Sequence, residues 1–507
     1  MAAKGSLNWL KDRSAGVLLH PTSLHGEQGV GVLGATAYSF INFLADAGIK
    51  NWQILPLVPT GFGDSPYSGL SAFAGNPLLI DLVPLVENGL LRSNDLEPLM
   101  GLPRDHVDFV SLARIKWPLL GLAYKNFKKH KRAYLPNYSR YSDFKKKHES
   151  WLEPFCAYMA LKNRFNGAFW GDWPLDCRTF DAAKKSIHWK ATADDRDAHA
   201  FYQYVFFGQW SQIKAYANTS GVSIIGDAPI FVALDSADVW AHPELFEMSG
   251  SGVPTHVAGV PPDYFSETGQ MWGNPLYDWK RMKADGYQWW IDRLNCNFEL
   301  VDIVRLDHFR GFYDYWKIPQ GSEDARSGKW AQGPKDDLFK AIKKQIPDAK
   351  LIAEDLGEIH DKIPAFRDRL GLPGMAILHF AFGGGAENLY LPHNLVPNSV
   401  VYPGTHDNDT THGWYASASA AEQDRVRRYL RVDGSDIAWD MIRICYQSPS
   451  NLAIFAMQDL MALGTEARMN APGTAQGNWQ WRMTPEAFDN QQGCASYLKG
   501  LGKLYGR

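Results

Sequence analysis

Four acidic residues each follow a short apolar run: Asp227 after "VSIIG", Asp307 after "DIVRL", Glu354 after "KLIA" and Asp407 after "VVYPGTH". A lone acid in such a place ordinarily caps the next turn or helix, and Asp355 and Asp409 are read that way. Capping explains less well why four separate runs end alike. Arg305 and Asp307 stand at i and i+2, so on a strand they share a face. A guanidinium beside a carboxyl lowers its pKa and keeps it ionised at neutral pH. An ionised carboxylate is what attack on an anomeric carbon requires. A second carboxyl with a raised pKa serves as the acid, and Glu354 suits that part. Two carboxyls in these parts define glycoside chemistry. In its retaining form they stand about 5 Å apart and the nucleophile carries a glycosyl intermediate.

Other chemistries fit less well. His406, Asp407 and Asp409 of "THDND" offer the oxygen-rich set that suits Mg²⁺ or Ca²⁺, but Arg305 beside Asp307 argues against a cation there. The chain lacks H-E-x-x-H, a P-loop and a G-x-G-x-x-G within a βαβ unit. It also lacks the G-x-S-x-G elbow of a serine hydrolase. No metal and no cofactor are expected.

The acids need elements to bring them together. Eight segments read as buried strands: residues 16–24, 52–60, 222–232, 302–312, 350–357, 375–382, 400–409 and 452–460. Helical patterns lie between most of them, such as 335–346 and 420–432. This alternation predicts a (β/α)8 TIM barrel, with an open doubly wound sheet as the other arrangement. In a barrel the C-terminal ends of the strands build the site, which is where the four acids fall. Residues 1–507 are therefore read as a single catalytic barrel with two long insertions. Residues 61–220 are expected to be mostly helical, because Phe144, Trp151, Phe155 and Tyr158 recur at helical spacing. Residues 233–295, rich in Gly, Pro and aromatics, are expected to be loop-rich.

The totals narrow the partners. Lys and Arg number 52 and Asp and Glu 55, a net charge of −3, which gives no electrostatic reason to expect nucleic acid or an anionic membrane. The basic runs at 125–132 and in "FKKKH" are solvated helix faces. Five cysteines without a C-x-x-C predict a reduced intracellular protein. The first residues hold no signal-peptide apolar core, and no run reaches the length of a membrane span. The expected place is the cytoplasm, or the plastid stroma if a transit peptide has been removed.

Long stretches of the chain resemble one family. They include "WQILPLVPTGFGDSPYSGLSAFAGNPLLIDL", "IIGDAPIFVALDSADVWAHPELF", "VRLDHFRGF", "LIAEDLG", "VYPGTHDNDTTHGWY" and "LGTEARMNAPGTAQGNWQWR". Together they resemble the 4-α-glucanotransferases called amylomaltase or disproportionating enzyme, family 77 of the glycoside hydrolases, within the α-amylase clan. The resemblance implies that Asp307 is the nucleophile, Glu354 the general acid/base and Asp407 the third carboxylate, which grips sugar hydroxyls. It implies that Arg305, His406 and Asp227 support the sugar at the cleavage point. It places Ser65, Tyr67, Gln270, Trp272 and Asn470 at the glucan site and Phe380 on the acceptor side. The substrates implied are α-1,4-glucans such as maltooligosaccharides, amylose, glycogen or starch. The departures, such as "YSGLSAF" beside "DSPY", spare the three carboxylates. Residues 259–272 are expected to form a Gly/Pro-rich lid that reserves the intermediate for a sugar acceptor. Two other readings remain at this point: an α-glucan hydrolase of the amylase type, and a catalytically silent glucan-binding protein.

Overall fold

The computed structural model describes residues 7–250, 252–262, 266–357, 360–474 and 476–507. Its centre is a sheet of eight parallel strands. In chain order they are Ser14–Leu18, Asn51–Gln53, Ser223–Ala228, Ile303–Leu306, Leu351–Ala353, Gly374–Ile377, Ser399–Tyr402 and Leu452–Ala456. Each pairs with its sequence neighbours except the fifth with the sixth, and the eighth pairs with the first from Ser14↔Leu452 to Leu18↔Ala456. Between the fifth and sixth strands the ring is drawn shut by the Ala353 N–H donating to the Pro373 carbonyl at 2.9 Å. All eight expected strands are present, each shorter than its apolar run. The C-terminal parts of those runs turn out of the sheet and carry Asp307, Glu354 and Asp407, whereas Asp227 stays within its strand.

Burial on both faces explains the run-like composition of the strands. In Ile303–Leu306 and Ser399–Tyr402 every residue is buried. Gly226 shows how tight the wall is, since a Cβ there would lie 2.8 Å from Val301. Most crossovers carry a helix whose sequence fits its place. Asp336–Gln345, between the fourth and fifth strands, opens with Asp336 and Asp337 and closes with Lys343 and Lys344, which complements the helix dipole. The connection from the sixth to the seventh strand holds only the 3-10 turns Leu378–Phe380 and Pro392–Asn394.

Between the second and third strands lie the helices Phe109–Lys129, Glu149–Arg164 and Ala193–Thr219. Phe144, Trp151, Phe155 and Tyr158 are all buried there. The other long segment differs from the loop-rich expectation. His256–Val260 and Gln270–Pro275 pair with each other and join Asp314–Pro319 and Lys329–Gln332 in a four-stranded antiparallel sheet. Both ends of the expected lid, residues 259–272, are therefore strand. Residues 263–265 at its middle lie outside the described residues. Short strands holding Gly259, Gly273 and Pro275 do not alternate, and they read as loop. Among the described residues no helix is long and apolar enough to cross a membrane.

Candidate active site

The third and fourth strands place the first cluster. Asp227↔Arg305 is a paired position of the ladder, so the two side chains start level on one face. Arg305 Nη1 lies 2.5 Å from Asp227 Oδ2 and 3.0 Å from Asp307 Oδ1. Asp307 is fixed one residue past the strand by its N–H donating to the Ala228 carbonyl at 3.1 Å. Burial separates the two acids: the Asp227 side chain is 0% exposed and that of Asp307 is 26%. Asp307 faces the cleft while Asp227 holds the guanidinium from beneath. Burial pushes the Asp227 pKa up and Arg305 opposes it. Tyr67 enters from the loop after the second strand. Its N–H donates to Ser65 Oγ at 3.2 Å, which tightens the turn, and its hydroxyl donates to Asp227 Oδ2 at 2.7 Å. Burial and then Asp227 push that hydroxyl well above its usual pKa, so it remains a donor.

Glu354 follows the fifth strand and is tied to the loop of Asp307 by backbone and side chain alike. Its N–H donates to the Leu306 carbonyl at 3.0 Å, and its carbonyl accepts from Phe309 N–H at 2.9 Å. Its carboxylate accepts from His308 N–H at 2.7 Å and Leu356 N–H at 3.0 Å. Burial raises its pKa to about 7, helped by Asp307 and opposed by Arg305 and the two amides. Asp307 and Glu354 thus stand on adjacent strands, one against a cation and one able to keep a proton at neutral pH. That is the division of labour between nucleophile and acid.

Asp407, after the seventh strand, is set by the loop after the eighth. Asn470 Nδ2 donates to Asp407 Oδ1 at 2.6 Å, and Arg468 Nη2 donates to the Asp407 carbonyl at 2.9 Å. His406 Nε2 lies 3.3 Å from Asp407 Oδ2, and its ring stacks on Tyr67 at 5.1 Å and 11°. The Asp407 side chain is 44% exposed, open to the cleft like that of Asp307. Asp355 and Asp409 have bracing parts. Buried Asp355 pairs with Arg367 and accepts from Met375 N–H at 2.9 Å, joining the fifth strand to the sixth. Asp409 accepts from Thr410 N–H and Thr465 Oγ1, each at 2.8 Å.

The remaining expected residues stand further out. Gln270 and Trp272 share a face of the four-stranded sheet, with Trp272 Nε1 donating to Gln270 Oε1 at 3.1 Å. Trp272 meets His308 edge-to-face at 4.9 Å, which links that sheet to the carboxylates. Phe380, on the 3-10 turn after the sixth strand, is exposed and touches Tyr390 at 6.0 Å rather than the acids. Sequence reasoning missed Arg468 and Trp479. Trp479 lies 5.8 Å from the Tyr67 ring and 6.0 Å from that of His406. Arg468 was within reach, two residues before Asn470 in "ARMN"; Trp479 had no local signal.

The 4-alpha-glucanotransferase family profile matches residues 19–488. A 4-alpha-glucanotransferase of Thermus thermophilus is 47% identical over 489 residues, covering 95% of this chain and 97% of that protein. The chloroplast and amyloplast 4-alpha-glucanotransferase of Arabidopsis thaliana is 42% identical over 98% of this chain and 86% of its own length. Among solved structures, the amylomaltase of Streptococcus agalactiae in complex with acarbose superposes with a TM-score of 0.92 at 38% identity, covering 98% of this chain and 99% of that one. A parallel barrel with its acids gathered at one end, matched along nearly its whole length, places this chain in the 4-alpha-glucanotransferase family.

Proposed function

We propose that the protein transfers segments of α-1,4-glucans by a retaining double displacement. Asp307 attacks C1 of a bound glucose unit while Glu354 gives its proton to the departing glycosidic oxygen. The reducing-end fragment leaves. The 4-OH of glucose or of another glucan then attacks the intermediate, with Glu354 as base, and C1 regains its configuration. Asp407 grips hydroxyls of the same sugar and favours the oxocarbenium-like state, and Asn470 and Arg468 aim it. Arg305, Asp227, His406 and Tyr67 hold that sugar's site from beneath. Ser65, Gln270 and Trp272 belong to the glucan path and Phe380 to its acceptor side.

The observation that carries this reading is the pairing of Asp307 with Arg305 at 3.0 Å beside Glu354, whose pKa is raised to about 7. The segment 259–272 acts as a cover that favours a sugar over water as acceptor, and shortening 261–266 raises the ratio of hydrolysis to transfer. The whole chain works as one catalytic barrel, in the cytoplasm or in a plastid stroma.

Incubation with pure maltotriose tests the reaction. Glucose and a ladder of longer glucans at constant total reducing ends support transfer. Rising reducing ends with no product longer than the substrate would make the protein a hydrolase.

A further inference from the structure

His308 follows the nucleophile and has no part in the reaction as described so far. Its backbone is left-handed, at φ 48° and ψ 52°. That region disfavours most side chains other than Gly, Asn, Asp and His, and a residue in it persists where its surroundings over-determine it. Here they do. The ring is wedged between Trp272, edge-to-face at 4.9 Å, and Gly311, where a Cβ would come 3.2 Å from the imidazole Cδ2. The His308 carbonyl accepts from Gly311 N–H at 2.9 Å. The left-handed turn points the His308 N–H at Glu354 Oε2, 2.7 Å away.

We propose that His308 is the positioning residue of the acid/base. Its wedged ring holds a left-handed backbone, and the amide so presented fixes the rotamer and the proton affinity of Glu354. Trp272, on the outer strand of the four-stranded sheet, thereby braces the carboxyl that performs the proton transfers. This inference rests on Glu354 being the acid/base.

The ring itself stays neutral. Burial lowers its pKa to about 4, against Asp307 and Asp314 and with Arg310 adding to the fall. A rate limb near pH 7 therefore does not belong to it. Glu354 is faced by Arg305 and Asp307 from the fourth strand and by Tyr390 from the connection after the sixth. An amide that favours the ionised carboxylate holds the Glu354 pKa down, so its loss moves the alkaline limb upward.

The test compares pH–rate profiles of maltotriose transfer for His308→Val, His308→Gly and His308→Asn. Valine resists the left-handed region, whereas glycine and asparagine accept it. His308→Val is expected to lower kcat about tenfold or more and to move the alkaline limb up by about half a pH unit, with donor KM within about twofold. His308→Gly and His308→Asn are expected to keep the limb. A folded His308→Val with wild-type kcat and limb overturns the proposal. Should that variant not fold, the glycine variant still decides, because a displaced limb there assigns the effect to the ring instead of the backbone. Glu354→Gln separates the two levels: full transfer in that variant overturns the acid/base reading, whereas loss of transfer beside an unmoved His308→Val limb overturns only the positioning role.

Discussion

One nitrogen of Arg305 serves two acids. Nη1 stands 3.0 Å from Asp307 Oδ1, on the cleft side, and the same atom stands 2.5 Å from Asp227 Oδ2, which is sealed beneath it. Neither acid has a second cation within ion-pair distance among the described residues, apart from their shared Arg305. Removing the guanidinium strands a buried charge, at a cost of about 3–5 kcal/mol. Arg305→Ala should therefore lower the unfolding free energy obtained by chemical denaturation by that amount and reduce kcat by about 10²–10³. Retention of wild-type stability would show that Asp227 takes up a proton without penalty.

The raised pKa of Glu354 makes both rate and stability depend on pH. Transfer should decline as pH rises through about 7, because the carboxyl must carry a proton when the donor binds. The stability effect has a definite sign. Below 4.5, the ordinary glutamate value, both folded and unfolded chains hold the proton and nothing is lost. Between 4.5 and about 7 only the unfolded chain releases it, so stability falls as pH rises. Above that window the loss is complete, on the order of 3 kcal/mol at about 1.4 kcal/mol per unit. Glu354→Gln should lose activity yet gain stability at pH 8 relative to pH 4.5. Urea titrations at the two values, compared with wild type, check this.

Neighbouring acids should fail in opposite ways. Asp355 adjoins Glu354 but points into the wall, where it holds Arg367 and the Met375 amide. Asp355→Ala should destabilise by about 1–3 kcal/mol through the freed Met375 amide and the loss of one of the two carboxylate partners of Arg367, Asp368 remaining. Activity per folded molecule should stay within a few-fold. Glu354→Gln should show the reverse pattern. Thermal unfolding and active-site-normalised rates on both variants discriminate.

Asp407 depends on residues 63 positions away, through Asn470 Nδ2 at 2.6 Å. Asn470→Ala leaves that carboxylate free to turn, and a misaimed group costs about 10²-fold. The expected loss is in kcat more than in KM, because the grip matters most in the distorted sugar. A pure KM effect would assign Asn470 to ground-state binding instead.

Arg507 should matter for folding alone. Its guanidinium donates to the carbonyls of Ser14, Cys445, Tyr446, Ser448, Ser450 and Asn451. These carbonyls gather at the C-terminus of the helix Ile437–Gln447 and at the N-terminal ends of the first and eighth strands, opposite the acids. Arg507→Ala should lower stability by about 2–4 kcal/mol and leave maltotriose kinetics of the folded enzyme unchanged.

The barrel was legible because its strands are buried on both faces and stand out as apolar runs. Those runs overshoot the hydrogen-bonded strands: Asp307 and Glu354 come directly after Leu306 and Ala353, and Asp407 lies on the loop that follows Tyr402. The error is informative, since the polar tail of each run is where the chain leaves the ladder to form the site. The four-stranded sheet was not legible. "HVAGV" and "QMWGNP" mix small, bulky and proline residues, and one of these strands has its middle exposed. The part of His308 was not legible either, because a left-handed backbone and the aim of an amide come from contacts with Trp272 and Gly311, which no local spacing records. Nor was that of Arg310, which the fold pairs with Asp314 at 2.9 Å and lays over the Trp330 ring at 3.7 Å.

The hydrogen bonds between Glu354 and the segment Leu306–Phe309 have a consequence for heating. Three hydrogen bonds, one of them accepted by a carboxylate oxygen, tie the two loops together, so the two carboxyls should move in step. The spacing of the two carboxyls should hold on warming even where the outer sheet, which meets them through Trp272 against His308, gives way. Arrhenius plots of single-turnover chemistry should therefore stay straight at temperatures where those of steady-state KM already bend.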